Sequence, residues 1–452
     1  MRLFYRILAS ILSVLLLICS VSCGEEAEPA DSVLERLIGK EALSSHKTRL
    51  IENETPYTLC FENEDGSHSL YVFSTPISFL QEDGSLALID TELVSVSWEE
   101  KKQGYWKKTK SSPVESYFPK SFEENGIRIQ NGEYEMNLSP LSFKGDAIDT
   151  QTYYDAIGRR VPAVSYESGN NEIYSFLPTA TGVTIAVSWT QQPQSNQISF
   201  VVFGDGLETA ENIAQQYLLF QNEKKEERAI FHNSYLSDSQ GNVSFGNSVE
   251  ISKKEENFIV TITLAEDFLK TASYPVVFSP SLELIEEGTT DATRYDSENV
   301  VAEKASVVPT FDSEWGKDPH HYMKFKVNSI VKTYRENVKQ ASLNLFSLHG
   351  REIKGELQRI REHWREDSLM EKAPIPYQTA AETEGAGGSR IKADITQFIQ
   401  ECIYDDTYYT ESYGLVWKPS EKSNTVLASY NNSLYQSYLR LDLYDAPWLY
   451  EK

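Results

Sequence analysis

Two short turns, Asp65-Gly66-Ser67 and Asp83-Gly84-Ser85, constrain how the early chain can fold. Asp-Gly pairs supply the positive φ that tight hairpins need, so the neighbouring runs Leu70 to Ser78 and Leu86 to Ile89 read as strands. The same reading extends along the chain to Val183–Trp189, Ile198–Phe203, Phe258–Leu264 and Tyr274–Phe278. The clearest case lies near the end, in Tyr438 to Tyr444. There Leu439, Leu441 and Leu443 point one way while Arg440 and Asp442 point the other, the signature of a half-buried strand. A helix is expected at Leu207–Leu218, where Leu207, Ala210, Ile213, Ala214, Tyr217 and Leu218 share a face, with a weaker one at Ala393–Ile403. The expected class is mainly β. The Gly-rich patch Glu384 to Ser389 is a loop, lacking the strand-to-helix setting of a phosphate cradle.

The N-terminus reads as an export signal. Arg2 and Arg6 precede an apolar run, Ile7 to Ile18, that is short for a membrane span. Ser20-Val21-Ser22-Cys23 resembles the box that ends bacterial lipoprotein signals, with Ser20 where Leu is usual. Cys23 is then the lipid attachment site, and a diacylated cysteine carries enough apolar chain for stable anchoring. The alternative is ordinary cleavage after Ser22 with Cys23 left free. The expected organisation is a signal at 1–22, a tether at 23–40, a β-rich module at 41–280 and a second domain at 281–452.

The chain has 452 residues, 40% hydrophobic and 24% charged, a normal globular balance. Without Arg2 and Arg6 the mature chain carries 40 basic and 67 acidic side chains, a formal net charge of −27. Such a surface repels nucleic acid, so none is expected as a partner. Beyond Cys19 and Cys23 only Cys60 and Cys402 remain, which suggests neither a disulfide framework nor a zinc site.

Several stretches carry a family resemblance. SHKTRL from Ser45 and EDGSHSLYVFSTPISFLQEDGSLALIDTEL up to Leu93 resemble the N-terminal β module of large secreted surface proteins of Gram-positive bacteria. YLSDSQGNVS at Tyr235–Ser244 and FLKTASYPVVFSPS at Phe268–Ser281 continue the likeness, with Phe278-Ser279-Pro280 where that module ends in Asp-Pro. The remainder of the chain is similar to a DNRLRE-type domain, a jelly-roll relative of carbohydrate-binding modules. The matching residues are Thr290 to Thr293, Met323 and Phe325, Val338 to Leu345, Trp364 to Asp367, Ala393 to Thr396, Tyr413 to Leu415 and SYLRLDLYD. The string that names the domain is absent. The resemblance implies a jelly-roll β-sandwich at 281–452 and a polysaccharide partner.

Candidate residues have structural readings too. Trp364, coming after Leu357 and Ile360, reads as core, and Asp394 as a cap for a turn or helix start. Sugar binding needs flat aromatic faces in polar loops, which selects Trp315, Tyr408, Tyr409 and Tyr430, although each is also an ordinary loop aromatic. Other motifs fail. Asn63 to Gly66 lacks the outer ligands of a calcium loop, since Phe61 and Val72 occupy those positions. Leu177 to Gly182 resembles a wall-sorting signal but lies mid-chain. Tyr153 to Arg159 looks like one unit of a tyrosine-aspartate repeat, and one unit makes no array. His320-His321 reads as a loop rather than a metal site, and no cofactor is expected.

No G-x-S-x-G or H-E-x-x-H motif is present, and the acids come mostly in runs such as Glu62 to Asp65, so catalysis is not expected. The expected function is non-catalytic and extracytoplasmic. The protein, lipid-anchored at the membrane or secreted, binds cell-wall or environmental polysaccharide through its C-terminal domain. The alternative is a structural or adhesive scaffold for protein partners.

Overall fold

The structure is a computed structural model. It describes residues 31–445 except 124, 133, 142, 144–145, 156, 169–170, 286–290, 296–299, 303, 324–336, 361, 363, 365–368, 370–372, 405–413 and 430. Two compact units result, one ending at Leu43 and one from Ser44 onward. The first holds two short helices, Asp31–Ile38 and Lys40–Ser44, separated by Gly39 at φ +88°. The tether expected over 23–40 therefore contains a helix. Among the described residues no helix is long and apolar enough to cross a membrane.

The larger unit is mainly β and antiparallel, built from two sandwiches. In the first sandwich an outer sheet runs Ser248–Lys254, Asn257–Thr263, Gln197–Gly204, Tyr134–Pro140, Ile127–Asn131, Glu115–Pro119, Tyr105–Ser111, Asp90–Ser95. Its strands alternate: Phe200 and Val202, Met136 and Leu138, and Val260 and Ile262 enter the core, while Ser199, Asn137 and Thr261 face outward. That is the pattern of a sheet wet on one side.

The inner sheet opposite runs Ala147–Tyr154, Arg160–Ser168, Glu172–Pro178, Gly182–Trp189, Ser281–Leu284, Glu227–His232, Tyr217–Asn222, Leu207–Ile213. Short strands Leu236–Asp238, Val243–Ser244 and Val276–Phe278 join it. Phe176, Ile185, Val187, Phe220, Phe231 and Leu282 fill the space between the two sheets.

The second sandwich pairs an inner sheet, whose main path is His46–Arg49, Thr58–Asn63, His68–Phe73, Tyr438–Leu443, Val338–Gly350, Thr425–Ala428, Val307–Pro309, with an outer one. The outer sheet runs Val300–Ala302, Asp291–Tyr295, Pro319–Met323, Leu415–Pro419, Glu352–Ile360, Pro376–Ala386. Leu343, Leu345, Leu439 and Leu441 from one sheet meet Met323, Leu357, Leu415 and Trp417 from the other. Gly355 passes so close to the Trp417 ring that a Cβ there would collide with it. Trp417 Nε1 donates to Thr383 Oγ1 at 2.8 Å, so the buried indole keeps its hydrogen bond.

The strands do not divide at 280/281. His68–Phe73 pairs with Tyr438–Leu443, setting Leu70 against Leu441 and Val72 against Leu439. From His46 the chain thus enters the second sandwich, builds the first over 90–284, and returns. Ser281–Leu284, expected to open the C-terminal domain, instead bridges Gly182–Trp189 and Glu227–His232 in the first.

Other expectations are corrected locally. Leu207–Leu218 is a hairpin, Leu207–Ile213 against Tyr217–Asn222, turning at Ala214 and Gln215 with φ of 50° and 60°. Tyr217 to Phe220 is apolar on both faces because both are buried: Leu218 and Phe220 enter the first core, Tyr217 and Leu219 a second cluster. That run has no 3.6-residue period to obey, and tertiary burial overrides the apparent helical face. His320-His321 lies in a buried strand, Pro319–Met323, rather than a loop. Trp364 is buried with Tyr322 edge-on, as expected. The second helix forms at Thr396–Tyr404, and Asp394 Oδ1 accepts from Thr396 N at 2.9 Å just before it. The Asp-Gly-Ser turns form with Gly66 and Gly84 at φ +79° and +80°.

Candidate functional site

Each inner sheet has a second face, and the two second faces meet. In Gly182–Trp189, Val183, Ile185 and Val187 enter the first core, so alternation sends Thr184 and Ala186 the other way. In Val338–Gly350, Leu343 and Leu345 enter the second core and Phe346 and Leu348 leave it. Val161, Ala163, Leu177 and Ala186 of the first sandwich gather with Leu434. Phe346, Leu348, Val426 and Ala428 of the second gather with Tyr235 and Phe245. The sandwiches are joined through an apolar seam.

The hairpin containing Tyr153 to Arg159 pins this seam. Asp155 Oδ1 accepts from Ile157 N at 3.1 Å and Arg159 N at 2.8 Å, and Oδ2 accepts from Arg159 Nε at 2.8 Å. Arg159 Nη2 reaches across to the Leu434 carbonyl at 2.8 Å. Its guanidinium lies over Phe346 and Tyr435, 5.3 and 5.0 Å from the ring centroids. Through Arg159 this hairpin acts as a plug between the sandwiches.

Beside the plug a partly enclosed cleft opens, with a cavity volume of about 50 Å³. The first sandwich contributes Tyr153, Thr184, Tyr235 and Glu283; the second contributes His349 and Asn432. Strand alternation places Glu283: Leu282 and Leu284 point into the first core, leaving Ser281 and Glu283 on the cleft side. Gly182 sits opposite Glu283, and a Cβ on it would strike the Leu282 carbonyl, so this close pairing requires glycine. Glu283 is 7% exposed. Its Oε1 accepts from Ser281 Oγ at 2.8 Å and its Oε2 from Thr181 Oγ1 at 2.6 Å.

On the opposite wall Asn432 holds its own loop: Oδ1 accepts from Leu434 N and Tyr435 N at 3.1 and 2.8 Å, and Nδ2 donates to Ser306 O at 3.0 Å. The His349 ring packs against Tyr235 at 5.7 Å. Burial lowers the His349 pKa to about 4 against the opposing pull of Asp155, so its imidazole is neutral at physiological pH. Burial likewise pushes the Tyr153 hydroxyl up to about 12. The cleft thus presents a carboxylate, a neutral imidazole, hydroxyls and tyrosine rings, a set suited to binding a small polar group.

Of the residues expected to bind sugar, Trp315 is 5% exposed, its indole edge-on to Phe245 with centroids 4.7 Å apart. It packs the seam and offers no open ring face for stacking. Tyr408, Tyr409 and Tyr430, and the lipid-attachment candidate Cys23, lie outside the described residues. Cys60 is a buried free thiol that donates to Asn53 O at 3.4 Å, and burial pushes its pKa up. No group of three or more metal-ligating side chains occurs among the described residues.

Sequence reasoning missed Glu283, His349 and Asn432. A faint signal existed in Ser281-Leu282-Glu283-Leu284, where an acid alternates with two leucines, but its significance depends on what covers the far face.

No protein-family model matches the chain, and no curated protein does. Among solved structures, the N-terminal domain of the Streptococcus gordonii adhesin Sgo0707 aligns over 86% of this chain and 83% of that one, at 8% identity and a TM-score of 0.16. A likeness that weak supports no conclusion about fold or function.

Proposed function

We propose that this chain is a non-catalytic extracytoplasmic binding protein that takes a saccharide chain end in the cleft between its two sandwiches. Cys23 would hold it at the membrane surface, with the helix-containing segment before Ser44 as the connection. The observation that carries the reading is the cleft itself: hydroxyls, Asn432 and a carboxylate set among tyrosine rings, between flanking apolar clusters. Sugars present hydroxyls at their edges and C–H faces to aromatic rings, and this lining offers both kinds of contact. A cavity of about 50 Å³ holds roughly three or four waters, so it accommodates the end of a chain rather than a strand lying across it.

The test is isothermal titration of the mature protein with oligosaccharides of wall, plant and algal type, alongside Ala186→Phe, which fills the cleft. Saturable binding that Ala186→Phe removes, with an unchanged circular-dichroism spectrum, is the expected result. Binding that Ala186→Phe leaves intact would place the glycan site elsewhere. No binding across the panel would overturn the reading in favour of a scaffold for protein partners, a role the pinned seam would suit.

A further inference from the structure

We propose that the cleft is selective for a primary ammonium group, so that the saccharide end it takes is an amino sugar with a free amine. This rests on the saccharide reading above and adds the charge of the ligand. The warrant is the setting of Glu283 in the cleft wall. A buried carboxylate is costly unless its charge is matched, and here its described partners are two neutral hydroxyls. A carboxylate offers about four acceptor sites, and these two bonds use half of them. No ion pair to Glu283 forms among the described residues. His232 feels its charge but is itself deeply buried, and that burial lowers the imidazole pKa. His349, on the opposite wall, is neutral as well. Arg159, behind Tyr435, is committed to Asp155. The cleft therefore holds a buried carboxyl group with acceptor sites to spare and tyrosine rings in its walls.

A cation is the group that relieves this arrangement. An ammonium donates three hydrogen bonds, enough for the free carboxylate sites and a neighbouring hydroxyl, and ring faces attract it further. The cavity has room for an ammonium and the carbon that bears it. An N-acetyl group carries no positive charge and only one N–H donor, so acetylation of the sugar amine should weaken recognition.

The experiment titrates the mature protein with three ligands: the trimer of glucosamine, the trimer of N-acetylglucosamine, and cadaverine, an amine without a sugar. Each is measured with the native chain and with Glu283→Gln, which keeps the shape and acceptor oxygen and removes the charge. The expected result is saturable binding of the glucosamine trimer, at least tenfold weaker binding of the other two, and a loss of at least tenfold in Glu283→Gln. Equal binding of both trimers, or binding that survives Glu283→Gln, overturns the charge selectivity while leaving the saccharide reading standing. Cadaverine matching the glucosamine trimer upholds the ammonium site and overturns the saccharide reading. Silence from all three overturns the ammonium site and leaves the saccharide reading to the wider panel. Should Glu283→Gln unfold, Thr181→Val, which removes one hydroxyl donor and leaves the charge, must retain the preference for the amine over the acetamide, and its loss would sink the proposal.

Discussion

The outer and inner sheets of the first sandwich differ in how they meet water. In Gln197–Gly204 and Asn257–Thr263 buried and half-exposed positions alternate without a break. In Tyr217–Asn222, Glu227–His232 and Ser281–Leu284 nearly every position is buried. The outer sheet has one neighbour and the inner sheet has two, because its far face meets the second sandwich. The same holds for Val338–Gly350, where eight consecutive positions from Ala341 to Leu348 are buried. Burying both faces joins the sandwiches, and it also creates the only kind of place in this seam where a polar cleft can be shielded from bulk water.

Perturbations should scale with this difference. The largest effect is expected for Asp155→Ala, which strips the plug of its turn bonds and removes the carboxylate that Arg159 Nε meets in the seam. Breaking a buried pair costs about 3–5 kcal/mol. Urea unfolding should show that loss, and a separate early transition would show that the sandwiches uncouple before they unfold. A loss under about 1 kcal/mol would mean the plug does not hold the seam.

Next is Leu177→Ala, on the seam face of the inner sheet, for which a buried Leu truncation predicts about 2–5 kcal/mol. The comparison is sharpened by Ser199→Ala on the wet face of the outer sheet, where its hydroxyl meets Thr261 at 3.1 Å. A half-exposed pair of this kind should move stability by no more than about 0.5 kcal/mol. Similar losses in both variants would erase the distinction between the sheets.

Between those two in size lies the acid response of the seam. His349 has its pKa lowered to about 4 in the folded protein, against an ordinary value near 6.5 when unfolded. As pH falls through that window the unfolded chain takes up a proton that the folded chain does not, so His349 lowers stability in acid and has no such effect above it. His349→Gln should flatten the fall in melting temperature between about pH 7 and pH 4.5. An unchanged slope would show that His349 is not shielded in the seam.

Legibility in the sequence tracks the same layering. Tyr438–Leu443 alternates in the sequence as it does in the fold, because its polar side chains, Arg440 and Asp442, reach one another at 2.9 Å on a face that is only half buried. The Asp-Gly-Ser turns were legible because positive φ is a local demand that glycine meets at no steric cost. The hairpin at Leu207–Asn222 was not, since Tyr217 to Phe220 carries no period once both faces are covered. Nor was the domain division, because strand pairing between His68–Phe73 and Tyr438–Leu443 joins residues hundreds apart through backbone bonds that leave no mark on side-chain pattern. Trp315 shows the same limit: a tryptophan in a polar loop looks exposed until a neighbouring sandwich covers it.

By itself, the sequence determined that this protein is mainly β, strongly acidic and punctuated by tight Asp-Gly turns, since local backbone preference and net charge need no partner to act. Only the tertiary structure decided that two sandwiches share a buried seam, that the Tyr153–Arg159 unit plugs it, and that Glu283, His349 and Asn432 face one cleft. Those outcomes depend on which faces meet, and a contact between distant strands is set by the packing of whole sheets rather than by any one segment.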